Sequence, residues 1–288
     1  MDTKQLKWIY LTILSLIWGS SFILIKKGLI GLSALQVGSF RIIFASLFLL
    51  LIGFKSLKKI SRRQWKFVAI TSVFGTFIPA YLFAIAETEV NSSVVAILNS
   101  LTPLNTLVLG IIAFGITFQK RQVLGVVVGL VGCLLLVLSG DSAAGENNYL
   151  YLVLVVIATL SYAINVNLIK KYLHDLNSLS ITTGNFAILL LPALLILSTT
   201  NISQTIHVAD TQHSIMFVLI LGVLGTGIAN VVFFKLVQMS SPVFATSVTY
   251  LIPIVAFFWG LLDNEMLTTI QFFGAFIILI GVYLSAKK

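Results

Sequence analysis

Apolar residues form ten long runs along the chain, and short polar loops separate each run from the next. A helix of about 20 residues is long enough to cross a hydrocarbon layer of about 30 Å. Most of the loops carry charges or turn-forming residues, so the runs end at defined points. The pattern predicts an all-α membrane protein with ten transmembrane helices. The predicted spans are residues 6–26, 34–53, 65–86, 91–114, 121–139, 149–169, 178–199, 214–236, 243–262 and 268–286.

The composition supports a membrane protein. Hydrophobic residues make up 58% of the 288 residues and charged residues only 9%, whereas soluble domains average about 25% charged residues. The net charge of +9 does not indicate a nucleic-acid partner, because the basic residues lie in loops between apolar runs. Cys133 is the single cysteine, which excludes an internal disulfide. The run from Trp8 to Ile25 is too long for a signal-peptide core, so we interpret it as a retained span.

The basic residues also predict the orientation. With ten spans and the N-terminus inside, 15 of the 18 Lys and Arg residues fall on the inner side, and seven of the nine acids fall on the outer side. The inner residues are Lys4, Lys7, Lys55, Lys58, Lys59, Arg62, Arg63, Lys66, Lys120, Arg121, Lys170, Lys171, Lys235, Lys287 and Lys288. Cytoplasmic loops carry such an excess of positive charge. We therefore expect a multi-pass protein of the cell (inner) membrane with both termini in the cytoplasm.

The second half of the chain repeats the first. Gly75-Thr76, Phe83, Leu101, Pro103 and Gly110 return 150 residues later as Gly225-Thr226, Phe233, Leu251, Pro253 and Gly260. Gln122, Gly125 and Gly132 return 149 residues later as Gln271, Gly274 and Gly281. The two units are residues 1–140 and 146–288, and each holds five predicted spans. Because five is odd, the second unit enters the membrane upside down, and such inverted repeats place a substrate site between the halves near the midplane.

Several motifs resemble the drug/metabolite transporter superfamily, specifically proteins with two EamA-type domains. The opening Trp18-Gly19-Ser20-Ser21-Phe22 is similar to the first-span signature of that family, and Phe40-Arg41 is similar to its second-span arginine. Residues 96–103 and 246–253 resemble its fourth-span block in both copies. The resemblance implies two inverted five-helix halves and transport of small metabolites, often amino-acid export. One departure is that Glu265 has no acidic counterpart in the first copy.

Matched polar faces on spans 4 and 9 are the first candidate binding residues. Asn99, Thr102, Pro103 and Thr106 share one helical sector, as do Thr246, Thr249, Tyr250 and Pro253. Pro103 frees the carbonyl of Asn99 and Pro253 that of Thr249; helix kinks are expected at Pro79, Pro103 and Pro253. The alternative is that these groups only pack helices together.

Spans 1, 6 and 8 supply the other candidates. Trp18 and Ser21 correspond to Tyr162 and Asn165, and an aromatic ring beside a polar group can bind an ammonium group or a second ring. Thr226 and Asn230 lie one turn apart in span 8. The substrate-binding residues predicted from the sequence are Trp18, Ser21, Asn99, Thr102, Tyr162, Asn165, Thr226, Asn230, Thr249 and Tyr250. Core packing is the alternative for this second group as well.

Charged and reactive residues narrow the function. Arg41 lies within span 2, where we expect it to pair with backbone carbonyls or with acids at the outer rim; a substrate carboxylate is the alternative partner. No Asp or Glu lies near the centre of a predicted span, which argues against a central carboxylate that exchanges cationic drugs for protons. An intramembrane protease would need a membrane histidine or two buried aspartates, and the spans contain neither. Gly125 and Gly129 are expected to let two helices approach closely.

The sequence therefore predicts a secondary transporter that exports small metabolites, amino acids or related compounds, by alternating access between two inverted repeats. The alternative within transport is an efflux carrier for amphipathic drugs. A non-transport enzyme or receptor is the alternative from another class. We expect a monomer whose partners are the lipid bilayer and a small-molecule substrate, with no cofactor and no metal ion.

Overall fold

The computed structural model describes residues 2–90, 92–138, 149–262 and 269–286, and these residues are almost entirely helical, with no β-strand among them. The helices are α1 (Thr3–Gly19), α2 (Ser21–Gly28), α3 (Ala34–Gly53), α4 (Arg62–Ser72), α5 (Ile78–Ala86), α6 (Ser92–Asn99), α7 (Thr102–Ile112), α8 (Lys120–Leu138), α9 (Tyr149–Tyr172), α10 (Ser178–Ser198), α11 (Ile202–Thr205), α12 (Ala209–Ile220), α13 (Ala229–Met239), α14 (Pro242–Thr246), α15 (Val248–Leu262) and α16 (Thr269–Ala286).

Six continuous helical segments within this part of the chain are long and apolar enough to cross a membrane. They are Gln5–Gly28, Ala34–Lys59, Arg62–Ala86, Tyr149–Tyr172, Ser178–Ser198 and Ala209–Met239. Shorter apolar helices cover Thr102–Ile112, Pro242–Val255 and Phe272–Ala286. The structure thus confirms the all-α class predicted from the sequence and is consistent with a membrane protein, whereas the count of ten transmembrane helices stays a prediction.

Two of the apolar segments are interrupted, and a threonine hydroxyl bridges each interruption. α6 ends at Asn99, and the Thr102 hydroxyl donates to the Asn99 carbonyl at 2.7 Å. α14 ends at Thr246, and the Thr249 hydroxyl donates to the Thr246 carbonyl at 3.0 Å. The carbonyl of Asn99, expected to be free for a ligand, therefore already has a partner within the chain.

The predicted proline kinks have different local settings. Pro103 is the second residue of α7, directly after the interruption at the end of α6. Pro253 lies inside α15, while the interruption of that segment comes earlier, at Ser247. Pro79 is the second residue of α5 and follows a π-helical turn at Val73–Phe77. The prolines therefore do not mark equivalent breaks in the two halves.

π-helical turns occur at matched places in the two halves. Val73–Phe77 lies between α4 and α5, and Leu221–Ile228 lies between α12 and α13. Each turn contains one copy of the repeated Gly-Thr pair, at residues 75–76 and 225–226. A π-helical turn adds a residue to the helix and is frequent at functional sites. Here both turns face the same cavity.

The halves of the chain are interleaved. α1 packs on α13 and α15, α3 on α10, and α9 on α5 and α7. α8 and α16 form the most extensive helix pair, and they meet backbone to backbone. A Cβ atom added to Gly125 would lie 2.7 Å from the carbonyl oxygen of Gly281, and one added to Gly132 would lie 2.9 Å from that of Gly274. The close approach predicted from Gly125 and Gly129 is confirmed.

Candidate functional site

A cavity lies between the two halves of the chain. Its walls come from α1, α2, α3, α5, α6, α7, α9, α13, α14, α15 and both π-helical turns. The lining residues are Trp18, Ser21, Phe22, Ile25, Arg41, Gly75, Thr76, Ala80, Phe83, Asn99, Thr102, Tyr162, Asn165, Val166, Gly225, Thr226, Asn230, Phe233, Thr246, Val248, Thr249 and Ile252. Ligand sites are commonly concave and combine apolar and aromatic walls with a few polar groups, and this lining has that composition.

Nine of the ten residues that the sequence predicts as substrate-binding lie around this cavity. They are Trp18, Ser21, Asn99, Thr102, Tyr162, Asn165, Thr226, Asn230 and Thr249. Tyr250 does not line it. Its side chain is fully buried, its hydroxyl donates to the Val126 carbonyl at 2.9 Å, and its ring packs against Gly129 of α8. Neighbouring residues of a helix point about 100° apart, so Tyr250 faces α8 while Thr249 faces the cavity.

Two aromatic pairs form matched parts of the wall. The rings of Trp18 and Phe233 meet edge to face with centroids 5.0 Å apart, and those of Tyr162 and Phe83 stack at 5.9 Å. Trp18 corresponds to Tyr162 and Phe83 to Phe233 in the sequence repeat, so the two contacts are equivalent and each joins one half to the other. The Trp18 indole also donates from Nε1 to the Gly225 carbonyl at 2.9 Å.

The glycines of the π-helical turns make a second matched pair of contacts. A Cβ atom added to Gly75 would lie 2.6 Å from both outer amide atoms of Asn165. One added to Gly225 would lie 2.9 Å from the hydroxyl oxygen of Ser21. Ser21 and Asn165 are again equivalent positions. The turn of the first half therefore contacts α9 of the second half, and the turn of the second half contacts the start of α2 in the first half. Only a residue without a side chain fits at this approach.

Two polar atoms of the cavity wall have no hydrogen-bond partner within the described structure. They are Thr76 Oγ1 and Asn165 Oδ1, and both residues are almost fully buried. By contrast, the hydroxyl of Ser21 donates to the Ile17 carbonyl at 2.9 Å. A buried polar atom without a partner is unfavourable by about 1–3 kcal/mol. A ligand or water that donates hydrogen bonds at this point would remove that penalty.

Arg41 has a different partner from the one expected. The sequence predicts a backbone carbonyl or a rim acid, but Arg41 Nε donates to the Thr226 hydroxyl oxygen at 2.6 Å. The Thr226 hydroxyl in turn donates to the Leu221 carbonyl at 3.0 Å, five residues back, across the π-helical turn. Arg41 comes from the first half and Thr226 from the second. The hydrogen bond therefore joins the two halves where α3 packs against the second π-helical turn.

Comparison with known proteins identifies the family of the chain. A model described as the EamA-like transporter family matches residues 6–138 and matches again at residues 149–287. The chain belongs to the EamA-like transporter family. This confirms the resemblance seen in the sequence motifs, and it makes the chain a multi-pass membrane transporter of the drug/metabolite type.

Individual EamA-like relatives cover nearly the whole chain. An "uncharacterized transporter" of Archaeoglobus fulgidus is 24% identical over 283 residues, which is 98% of this chain and 99% of the relative. The "uncharacterized inner membrane transporter YedA" of Escherichia coli is 25% identical over 276 residues, 94% of this chain and 87% of the relative. A solved crystal structure has the same fold, with a TM-score of 0.74 and 13% identity over 96% of this chain and 94% of that chain.

The cavity has one charged side chain among its lining residues, that of Arg41, and no acidic one. Within the described ranges, no group of three or more His, Cys, Asp or Glu side chains is arranged to hold a metal ion. Glu265, the acid without a counterpart in the first half, lies outside the described residues. The chemistry available at the cavity is therefore hydrogen bonding, aromatic stacking and one positive charge.

Sequence reasoning did not include several lining residues among its candidates. Thr76, Phe83 and Phe233 belong to pairs that the repeat marks, because Gly75-Thr76 and Phe83 return in the second half. That repetition is the signal that could have identified them. Phe22 and Ile252 carry no such mark, since apolar residues are common throughout these helices. Their places in the wall come from the tertiary structure alone.

Proposed function

We propose that this transporter exports amino acids or related small compounds by alternating access. In this proposal ten spans form two repeats, residues 1–140 and 146–288, which insert in opposite orientations with both termini cytoplasmic. The protein acts as a monomer in the cell (inner) membrane. In this count of ten, the shorter or interrupted helical segments, such as α6–α7 and α14–α15, are also taken as membrane spans.

The observation that carries this proposal is the matched set of contacts around the cavity. Trp18 with Phe233 and Tyr162 with Phe83 are equivalent pairs, and each pair crosses between the halves. Around a two-fold axis, a contact between a residue of one half and a residue of the other is repeated by their equivalents with the two halves exchanged. In transporters with inverted repeats, such an axis lies in the membrane plane and the site beside it opens to each side in turn. The positions of the proposed binding residues support this mechanism.

The composition of the wall supports a small polar substrate with an apolar part. Amide and hydroxyl groups of Asn99, Thr76 and Asn165 lie in the same cavity as the rings of Trp18 and Tyr162. An aromatic face attracts an ammonium group and also covers apolar carbon. An amino acid presents both features.

Transport by the purified protein in liposomes tests the proposal. A panel of labelled amino acids and related metabolites would be measured with and without a proton gradient. We expect at least one compound to cross faster than in protein-free liposomes. The matched control is Thr76→Trp, whose added ring would fill the cavity and block transport. If no panel compound crosses faster than in the protein-free control, metabolite transport is the wrong assignment.

Efflux of amphipathic drugs is the second candidate, and the aromatic wall formed by Trp18, Phe22, Phe83 and Phe233 is the observation that favours it. Most such drugs are cationic, and a cavity with Arg41 and no lining acid is a poor receptor for them. The same liposome assay with two lipophilic cations separates the candidates. Faster transport of the cations than of every metabolite would favour drug efflux.

A further inference from the structure

Arg41 lies within the membrane-spanning part of α3, seven residues after the helix begins at Ala34. At a rise of 1.5 Å per residue, this places it about 10 Å into the span. Its side chain is half-buried and lines the cavity. A charged group at such a depth is unfavourable unless it has a partner or a functional ligand.

The partner that Arg41 has is neutral and occupies one nitrogen. Nε donates to the Thr226 hydroxyl oxygen. Within the part of the chain that the structure describes, the side chain makes no further hydrogen bond and no ion pair. The terminal nitrogens Nη1 and Nη2 donate to no other described residue, so their donor capacity remains for a ligand. A guanidinium end of this kind matches the two oxygens of a carboxylate in a bidentate pair.

The charge of Arg41 has no counterpart in the second half. The equivalent position is Asn185, since α3 and α10 begin at Ala34 and Ser178, 144 residues apart. Asn185 is fully buried, contacts Thr71 at 3.0 Å and does not line the cavity. An otherwise matched cavity therefore has one positive pole. Such a pole would orient a substrate that has a negative end.

Tyr162 and Glu87 are the ionisable side chains close to Arg41. Tyr162 lines the cavity and is neutral at physiological pH. Glu87 follows the last residue of α5 and is not a lining residue, so it lowers the positive potential at Arg41 without occupying the cavity.

We propose that Arg41 is the anion receptor of the cavity and that a transported compound must carry a carboxylate to bind there. This inference rests on the proposed transport function and adds the required charged group and the residue that binds it. Thr226, fixed by its own bond across the π-helical turn, holds the guanidinium plane in place. The unpaired oxygens of Thr76 and Asn165 accept hydrogen bonds from the other end of the ligand, such as an ammonium group.

A purely structural role for Arg41 makes a different prediction. If its bond to Thr226 only ties the halves together, then loss of Arg41 lowers stability and lowers the affinity for every ligand by the same factor. If Arg41 binds a carboxylate, its loss removes the difference between ligands with and without that group. The selectivity ratio therefore separates the two roles.

The test uses four compounds that share one side chain: phenylalanine, phenylalaninamide, 2-phenylethylamine and 3-phenylpropionate. The second and third lack the carboxylate, and the fourth lacks the ammonium group. Their binding to the purified protein would be measured by thermal stabilisation, with a parallel series on leucine. We expect the compounds with a carboxylate to bind about ten- to hundredfold more tightly than the matched amide and amine, as expected for hydrogen bonds to a charged group.

The variants are Arg41→Gln, Arg41→Lys and Thr226→Val. Arg41→Gln should abolish the preference for the carboxylate, and Arg41→Lys should retain part of it because the charge remains. Thr226→Val should weaken binding of all four compounds but keep the preference, which protects the test if the Arg41 variants fold poorly. The control is Lys26→Gln, which makes the same charge change at an exposed position of α2 and should leave the preference unchanged.

Two results would overturn the proposal. One is equal binding of acid and amide by the wild-type protein, including no measurable binding of either. The other is a carboxylate preference that survives in Arg41→Gln. Both are distinct from failure of the transport function, because a compound such as the amide could still cross liposomes faster with the protein than without it.

Discussion

Gly75 lies directly against the side-chain amide of Asn165, and this contact joins the π-helical turn of the first half to α9 of the second. The equivalent contact is between Gly225 and the hydroxyl of Ser21. The two differ in how far the neighbour can move. Asn165 presents the whole amide group and is almost fully buried, whereas Ser21 presents a single hydroxyl oxygen.

Gly75→Ala should therefore be more damaging than Gly225→Ala. The added methyl group at position 75 displaces the Asn165 amide, and overpacking of this kind destabilises a protein by about 1–3 kcal/mol. We expect a several-fold loss of transport in liposomes and a lower midpoint of thermal unfolding. Gly225→Ala is the matched control, and equal effects of the two changes would show that the Asn165 amide has no special role.

Removal of either bridging threonine hydroxyl should destabilise the interrupted helices. Thr102→Val leaves the Asn99 carbonyl without its partner, and Thr249→Val does the same to the Thr246 carbonyl. A buried carbonyl left unpaired costs about 1–3 kcal/mol. Thermal unfolding in detergent measures the effect. Thr88→Val is the control, because its hydroxyl also donates to a carbonyl three residues back but lies at an exposed helix end; a similar loss there would contradict the explanation.

The orientation of the chain can be tested with single cysteines after Cys133→Ser. We expect Lys58→Cys to be cytoplasmic and Gln212→Cys to be external, and both positions are exposed. The neighbouring Thr211 is a less suitable position for a cysteine, because it is buried and its hydroxyl donates to the Gly31 carbonyl. An impermeant thiol reagent added to intact cells should label position 212 and not position 58. The reverse pattern would place both termini outside and refute the assigned topology.

Glu87→Gln should keep transport substantially intact, because Glu87 is outside the cavity and no acid lines it. The change removes a charge that interacts with Arg41, so the affinity for a compound with a carboxylate should stay the same or rise a few-fold. Substrate affinity and the rate with and without a proton gradient are the measurements. Loss of proton-dependent transport would identify Glu87 as a coupling residue instead.

The sequence predicts the spans and most of the candidate site for a clear physical reason. Apolar runs of membrane length leave few alternatives to a helix, and repetition singles out equivalent positions such as Trp18 and Tyr162, which both line the cavity. The direction of a single side chain is harder. Tyr250 was expected beside Thr249 in the cavity, but the interruption at Ser247 sets the rotation of α15 and turns Tyr250 towards α8.

The π-helical turns and the partner of Arg41 could not be predicted from the chain alone. Thr226 bonds to a carbonyl five residues back, and it can hold Arg41 only because α3 packs against that turn. These arrangements depend on contacts between residues about 185 positions apart. No local pattern of apolar and polar residues encodes them.

The glycine crossing of α8 and α16 has a mechanical consequence. Main-chain atoms meet directly at this crossing, as at Gly125 with Gly281 and Gly132 with Gly274, so there is little room for the two helices to slide past each other. No described residue of either helix lines the cavity. In the proposed alternating access, the two halves would therefore rotate about this crossing, and the helices around the cavity would move further than α8 and α16. A crosslink placed across α8 and α16 should leave the cycle running, whereas one placed across the cavity should stop it.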